Sequence, residues 1–73
     1  MPGLKYINRL SQLDRLIKFQ CTGTSKDLAS KLGISERQLF YYLSDLRELG
    51  ADIRFNLFKK TYEYVKDYEL HFF

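Results

Sequence analysis

Apolar residues over the first fifty positions recur at steps of three or four, the spacing of amphipathic helices. The first such stretch predicts a helix over residues 6–20, which we expect Gly23 to stop. Its apolar positions are Tyr6, Leu10, Leu13, Leu16 and Ile17. Phe19 falls among the polar positions, either as part of a second packing surface or as an exposed aromatic residue.

Two further helices are predicted on either side of a tight turn at Gly33, where glycine supplies a left-handed backbone. Thr24 opens the earlier helix with Asp27 three residues later, a capping box. Ser35 and Gln38 repeat that spacing at the later helix, predicted from residue 36 to about 49 and ended by Gly50. The inward positions are Leu28, Ala29, Leu32, Leu39, Leu43 and Leu46. Such a pair is a helix-turn-helix, which usually presents its second helix to the DNA major groove.

Beyond Gly50 the apolar period changes to two, which is typical of strands. Two strands are predicted around residues 53–55 and 62–64, joined by residues 57–60 with Asn56 in the turn. No glycine lies in that connection, so we expect a longer loop than a two-residue turn. Tyr68, Leu70 and Phe72 alternate with polar residues and suggest a third short strand.

The expected fold class is therefore mainly α with a small β-hairpin. Its architecture is a winged helix-turn-helix, in which a three-helix bundle precedes a two- or three-stranded antiparallel wing. One domain should cover residues 1–73. Two interpretations of the last residues remain open: Leu70 and Phe72 pack on the chain's own core, or the final strand is an edge that pairs with a second copy.

Composition narrows the function without deciding it. The net charge is +3, from 12 Lys and Arg against 9 Asp and Glu, which is compatible with nucleic acid. Cys21 is alone, so we expect no disulfide, a cytoplasmic location and a packing role for its side chain. The chain has no run of about 18 apolar residues and no apolar signal core at its start, so neither a membrane span nor a targeting segment is predicted.

The sequence contains no combination of residues that indicates catalysis. His71 is the single histidine, and a zinc site would need about four ligands. Neither a nucleophile–base pair nor a glycine loop for phosphate can be assembled. We expect no enzymatic activity, cofactor, metal or small-molecule ligand.

Several motifs together carry a resemblance to a known family. The core motifs are Leu32-Gly33-Ile34-Ser35 and Leu46-Arg47-Glu48-Leu49-Gly50-Ala51, with supporting matches at 15–17, 22–24, 27–29 and Tyr62-x-Tyr64. With these, the chain resembles the bacterial winged helix-turn-helix domains at the N-termini of the biotin repressor and DeoR-type regulators, small stand-alone members above all. The resemblance extends over residues 6–65. It implies duplex DNA binding by a transcriptional regulator without catalysis.

The outward side of the third helix carries the candidate base-reading residues, which are Arg37, Gln38, Tyr41 and Ser44. In a major groove Arg37 can reach guanine with two hydrogen bonds, and Gln38 can reach adenine. Tyr41 can meet a phosphate or a thymine methyl group. Alternatively these are solvated residues, and the capping box occupies Gln38.

Candidate phosphate contacts lie at the helix starts and at the hairpin tip. They are Thr24, Ser25, Lys26, Ser35, Lys59 and Lys60. Helix N-termini offer free N–H groups to anions, and lysines in a wing suit the DNA backbone or minor groove. The alternatives are a plain N-cap at Thr24 and a solubilising surface at the lysine pair.

The rival to DNA binding is a protein-interaction module. Phe40, Tyr41 and the aromatic C-terminus would then form the contact, with Asp45 and Glu48 on the outward side of the third helix. A continuous positive surface from Lys26 through Arg37 to Lys59 favours DNA, and an acidic break across it favours a protein. A homodimer through the C-terminal strand or the first helix remains open as well.

Overall fold

The polypeptide from residue 3 to residue 70, the part that the computed structural model describes, forms three helices and then an antiparallel hairpin. The elements are α1 (Leu4–Lys18), α2 (Ser25–Leu32), α3 (Glu36–Glu48), β1 (Ile53–Asn56) and β2 (Thr61–Tyr64). Ile53 pairs with Tyr64 and Phe55 with Tyr62. The mainly helical class with a small hairpin is confirmed. None of the helices within these residues is long and apolar enough to cross a membrane.

One hydrophobic core joins all three helices to the base of the hairpin. Every leucine predicted to face inward in α2 and α3 is buried, and Ala29 is 3% exposed where α2 approaches its neighbours. The core consists of Leu10, Leu13, Ile17, Leu28, Ala29, Leu32, Leu39, Leu43, Leu46, Ala51, Ile53 and Tyr62. Phe19 is 74% exposed, so it belongs to no second packing surface among the described residues.

All three helices end in the same backbone motif. A residue with positive φ follows each helix: Gln20 at 54°, Gly33 at 70° and Gly50 at 108°. The next residue then donates its N–H to a carbonyl five positions back, from Cys21 to Leu16, Ile34 to Ala29 and Ala51 to Leu46. This Schellman pattern satisfies carbonyl groups that the helix end leaves without partners.

The predicted end of α1 was wrong by two residues. The helix stops at Lys18 because Gln20 already takes the left-handed conformation, three residues before Gly23, whose φ is 73°. The start was wrong as well, since α1 begins at Leu4 after Gly3. Cys21 was expected to pack inside, but it is exposed because the chain turns outward at Gln20.

Two buried threonines fasten the hairpin to the chain between α1 and α2. Thr22 and Thr61 are 0% and 1% exposed, and their hydroxyl oxygens lie 2.9 Å apart. The backbone N–H of Thr22 donates to Thr61 Oγ1 at 3.1 Å, and the N–H of Tyr62 donates to Thr22 Oγ1 at 2.8 Å. A threonine side chain therefore occupies the outer edge of β2, where a further strand would pair.

The third strand predicted from residue 68 onward does not form within the described residues. Tyr68 and Leu70 are half-buried and pack against the core, and the Tyr64 and Tyr68 rings lie 5.2 Å apart. Thr22 already accepts the N–H of Tyr62 on the outer edge of β2, so a strand added there would have to compete with it. Leu70 thus follows the interpretation of packing on the chain's own core. His71 and Phe72 lie outside the described residues.

A second polar contact holds β2 against α1. The Tyr64 hydroxyl donates to Asp14 Oδ1 at 2.5 Å, and Lys18 Nζ lies 3.2 Å from Asp14 Oδ2. Asp14 is 9% exposed, so its charge is compensated by this hydroxyl and this ammonium group. Burial and the hydrogen bond to Asp14 raise the pKa of Tyr64, which keeps the phenol protonated.

Candidate nucleic-acid interface

The outer face of α3 is open to solvent along its length. Leu39, Leu43 and Leu46 are buried and fix the rotation of the helix about its axis. The four predicted base-reading residues are all exposed: Arg37, Gln38, Tyr41 and Ser44. At about 100° per residue they occupy an arc of about 120° opposite the leucines. The structure therefore brings these four residues together on one surface.

A capping box at the start of α3 already uses Gln38. The Ser35 hydroxyl oxygen accepts from the N–H of Gln38 at 3.1 Å, and Gln38 Oε1 accepts from the N–H of Ser35 at 3.4 Å. The paired contact between a glutamine and adenine needs both the oxygen and the NH₂ group of the amide. Gln38 would have to release its cap to read adenine in that way, which favours Arg37 and Ser44 as the readers.

The start of α2 has a second capping box, in which the N3 residue is an aspartate. Asp27 Oδ2 accepts from the N–H of Thr24 at 3.1 Å and from its hydroxyl at 3.0 Å. These hydrogen bonds from Thr24 lower the pKa of Asp27, so its carboxylate is charged at neutral pH. Thr24 acts as an N-cap, and a phosphate at this end would compete with the carboxylate of Asp27. The exposed Lys26 is the residue of this turn best suited to an anion.

One hydrogen bond links the starts of α2 and α3. Ser25 Oγ donates to Glu36 Oε2 at 3.2 Å, so the serine hydroxyl is directed at an acid. Tyr62 of β2 lies near this pair: burial raises its pKa, and the Ser25 hydroxyl opposes that rise. Ser25 therefore links the starts of both helices and lies close to β2.

The hairpin loop, residues 57–60, bears both predicted lysines. Lys59 and Lys60 are exposed, and Lys59 Nζ donates to Gln20 Oε1 at 3.1 Å. This contact and the Thr22–Thr61 pair place the loop beside the turn that leads into α2. The predicted phosphate contacts lie on three segments, the loop, the start of α2 and the start of α3, which are together called the candidate edge below.

Asn56 takes the place of glycine in shaping this loop. It is the last residue of β1, and its Oδ1 accepts from the N–H groups of Phe58 at 2.9 Å and Lys59 at 3.0 Å. Lys60 has a positive φ of 52° and closes the turn. The expectation of a loop longer than two residues is confirmed.

Sequence reasoning missed the apolar side chains at the hairpin tip. Leu57 is 79% exposed and Phe58 is 100% exposed. The sequence did offer a sign of them, because two apolar residues stand in a connection between strands where polar residues are usual.

The charge along the candidate edge is mixed, so acidic residues interrupt the continuous positive surface that was expected to favour DNA. Lys26, Arg37, Lys59 and Lys60 face solvent there, as do Asp27 and Glu36, whose carboxylates are hydrogen-bonded to Thr24 and Ser25. Asp45 was expected on the outward side of α3, but it is half-buried, and Tyr6 donates a hydroxyl to it at 2.6 Å. Glu48 is exposed as expected.

No protein-family model, curated protein or solved structure significantly matches this chain. The functional argument therefore depends on the contacts described above.

Proposed function

We propose that this chain is a winged helix-turn-helix protein that binds double-stranded DNA and regulates transcription in the cytoplasm. In this proposal α3 is the recognition helix and the hairpin is the wing. The observation that carries the proposal is that Arg37, Tyr41 and Ser44 lie exposed on one face of α3, in a chain whose hairpin loop presents two exposed lysines. A duplex that accepts α3 in its major groove would meet the wing lysines on an adjacent stretch of backbone.

The residues divide into two roles. Arg37 is the principal base reader, because its guanidinium group can bind guanine with two hydrogen bonds. Ser44 and Tyr41 add contacts along the same face. Lys59 and Lys60 supply contacts to the phosphate backbone, which add affinity without sequence information.

Paired variants test this division. Arg37→Ala should lose discrimination at one base position, worth about 1–3 kcal/mol, while Lys59→Ala should weaken all sequences alike and lower the salt slope by about 1. Arg15→Ala on α1, also an exposed arginine, is the matched control. The measurement is fluorescence anisotropy over a range of salt, with duplexes selected from a random pool.

The outcomes are distinct. Absence of duplex binding at micromolar protein and low salt would remove the proposal. Equal losses for Arg37→Ala and Arg15→Ala would remove the assigned role of α3.

The second candidate is a protein-interaction module, which the exposed aromatic residues of α3 favour. Phe40 is 51% exposed and Tyr41 is 60% exposed. Glu36 and Asp27 on the same edge would suit a partner with basic groups. In that case Phe40→Ala and Tyr41→Ala would abolish partner capture, and duplex DNA would not compete for the surface.

A further inference from the structure

The hairpin tip projects the most exposed large apolar side chain of the described residues into solvent. Phe58 is 100% exposed, and Leu57 beside it is 79% exposed. Neither side chain belongs to the core or to the partly buried residues packed against it. The pair therefore contributes almost nothing to folding by burial.

The backbone beneath this pair is held in place from both sides. Asn56 accepts two loop N–H groups through Oδ1 and donates through Nδ2 to Glu63 Oε1 at 3.1 Å. On the far side, Lys59 reaches Gln20. A tip fixed in this way presents Phe58 outward with little conformational freedom left to lose on binding.

Cations surround the apolar tip. They are Lys59 and Lys60, which follow the apolar pair directly in sequence and are both exposed. An apolar point among cations matches a duplex minor groove, where apolar residues insert between base pairs and cations bind the flanking phosphates. A membrane surface would require a broader apolar face than two side chains. The tip belongs to the same loop as the wing lysines, so a duplex that contacts Lys59 and Lys60 can reach it.

We propose that Phe58, flanked by Leu57, inserts as a wedge between adjacent base pairs in the minor groove and kinks the duplex. This inference rests on the proposed function. It adds a sequence preference that depends on how easily the DNA deforms, because flexible pyrimidine–purine steps kink at lower cost than other steps.

The test uses the full chain and a selected duplex with 2-aminopurine at successive steps under the wing. The duplex ends carry a donor–acceptor dye pair that reports bending. Wild type should raise 2-aminopurine fluorescence at one step and bend the duplex by roughly 20–90°. Phe58→Ala should lose both signals and bind about tenfold more weakly, with the salt slope unchanged because the cations remain.

Three further variants distinguish loss of the kink from a general loss of affinity and from a general effect of removing an exposed apolar side chain. Phe58→Leu should keep most of the kink, because leucine also serves as a wedge. Lys60→Ala should weaken binding and keep the kink, because the contacts of Asn56 and Lys59 that hold the tip remain. Leu4→Ala, at the start of α1 and 75% exposed, is the matched control for loss of an exposed apolar side chain and should change nothing.

The negative outcomes are also distinguishable. Duplex binding with no bend and no fluorescence change overturns the wedge and leaves the proposed function intact. Failure of wild type to bind any duplex overturns both. Binding to phosphatidylglycerol vesicles that Phe58→Ala abolishes, without duplex binding, overturns both in favour of a membrane contact.

Discussion

Gln20 should limit the stability of this fold, and replacing it with glycine should stabilise the protein. Gln20 has φ 54° at the end of α1, the position that Gly33 and Gly50 fill after α2 and α3. An L-residue in the left-handed region costs roughly 1–2 kcal/mol, which glycine avoids. The greater freedom of glycine in the unfolded chain offsets part of that gain.

The net effect follows from two substitutions. Gln20→Ala keeps the Cβ and removes only the exposed hydrogen bond to Lys59, so it should change the free energy of unfolding by less than about 0.5 kcal/mol. Gln20→Gly should then exceed Gln20→Ala by about 1 kcal/mol. In a chain of this size that corresponds to a rise in Tm of roughly 4–8 °C between the two variants.

Urea and thermal unfolding followed by circular dichroism measure these differences. Gly33→Gln is the reciprocal control: an added Cβ there meets no atom within 4 Å, so its cost is conformational. It should lose about 1 kcal/mol. A Gln20→Gly variant no more stable than Gln20→Ala would refute the reasoning, because the left-handed backbone at Gln20 would then carry no cost.

Three further predictions concern the polar contacts. Gly23→Ala should lower the free energy of unfolding in urea by about 1–2 kcal/mol. The φ of Gly23 is 73°, and an added Cβ would lie 2.9 Å from Asp27 Oδ2 in the α2 capping box. A variant as stable as wild type would contradict this. Tyr64→Phe should lower the free energy of unfolding by about 1–3 kcal/mol, because the buried Asp14 loses a hydrogen-bond donor. An unchanged free energy of unfolding would show that water replaces the phenol. Stability should hold up to about pH 10 and fall above it, because burial, aided by a hydrogen-bonded carboxylate, raises the pKa of Tyr6 to about 12 in the fold. Tyr6→Phe should reduce that alkaline loss in part, because the raised pKa of Tyr64 contributes to it as well. An unchanged slope would exclude a contribution from Tyr6.

The boundaries of α2 and α3 were predictable because their signals are local. Thr24 with Asp27 and Ser35 with Gln38 form capping boxes from residues three apart, and Gly33 ends α2 where it stands. The leucine spacing likewise fixed which side of α3 is open. These features depend on a few neighbouring residues, so reading along the chain is sufficient.

The errors occurred where distant contacts override local preference. Nothing near Gln20 marks it as the residue that turns left-handed, and the bonds between Thr22 and Thr61 join positions 39 residues apart, which a local pattern does not reveal. The predicted third strand failed for the same reason: alternation of apolar residues does not reveal whether a strand edge is available. The bonds from Ser25 to Glu36 and from Lys59 to Gln20 that assemble the candidate site are equally invisible in sequence.

The paired threonines have a consequence for engineering and for divergence. Thr22 and Thr61 attach the hairpin through the strand pair next to the loop, so the attachment does not use the side chains of loop residues 57–60, and these can vary in chemistry with little disturbance to the helices. The loop can therefore be exchanged while the rest of the fold serves as a constant scaffold. New preferences could be grafted there while the recognition helix is left untouched.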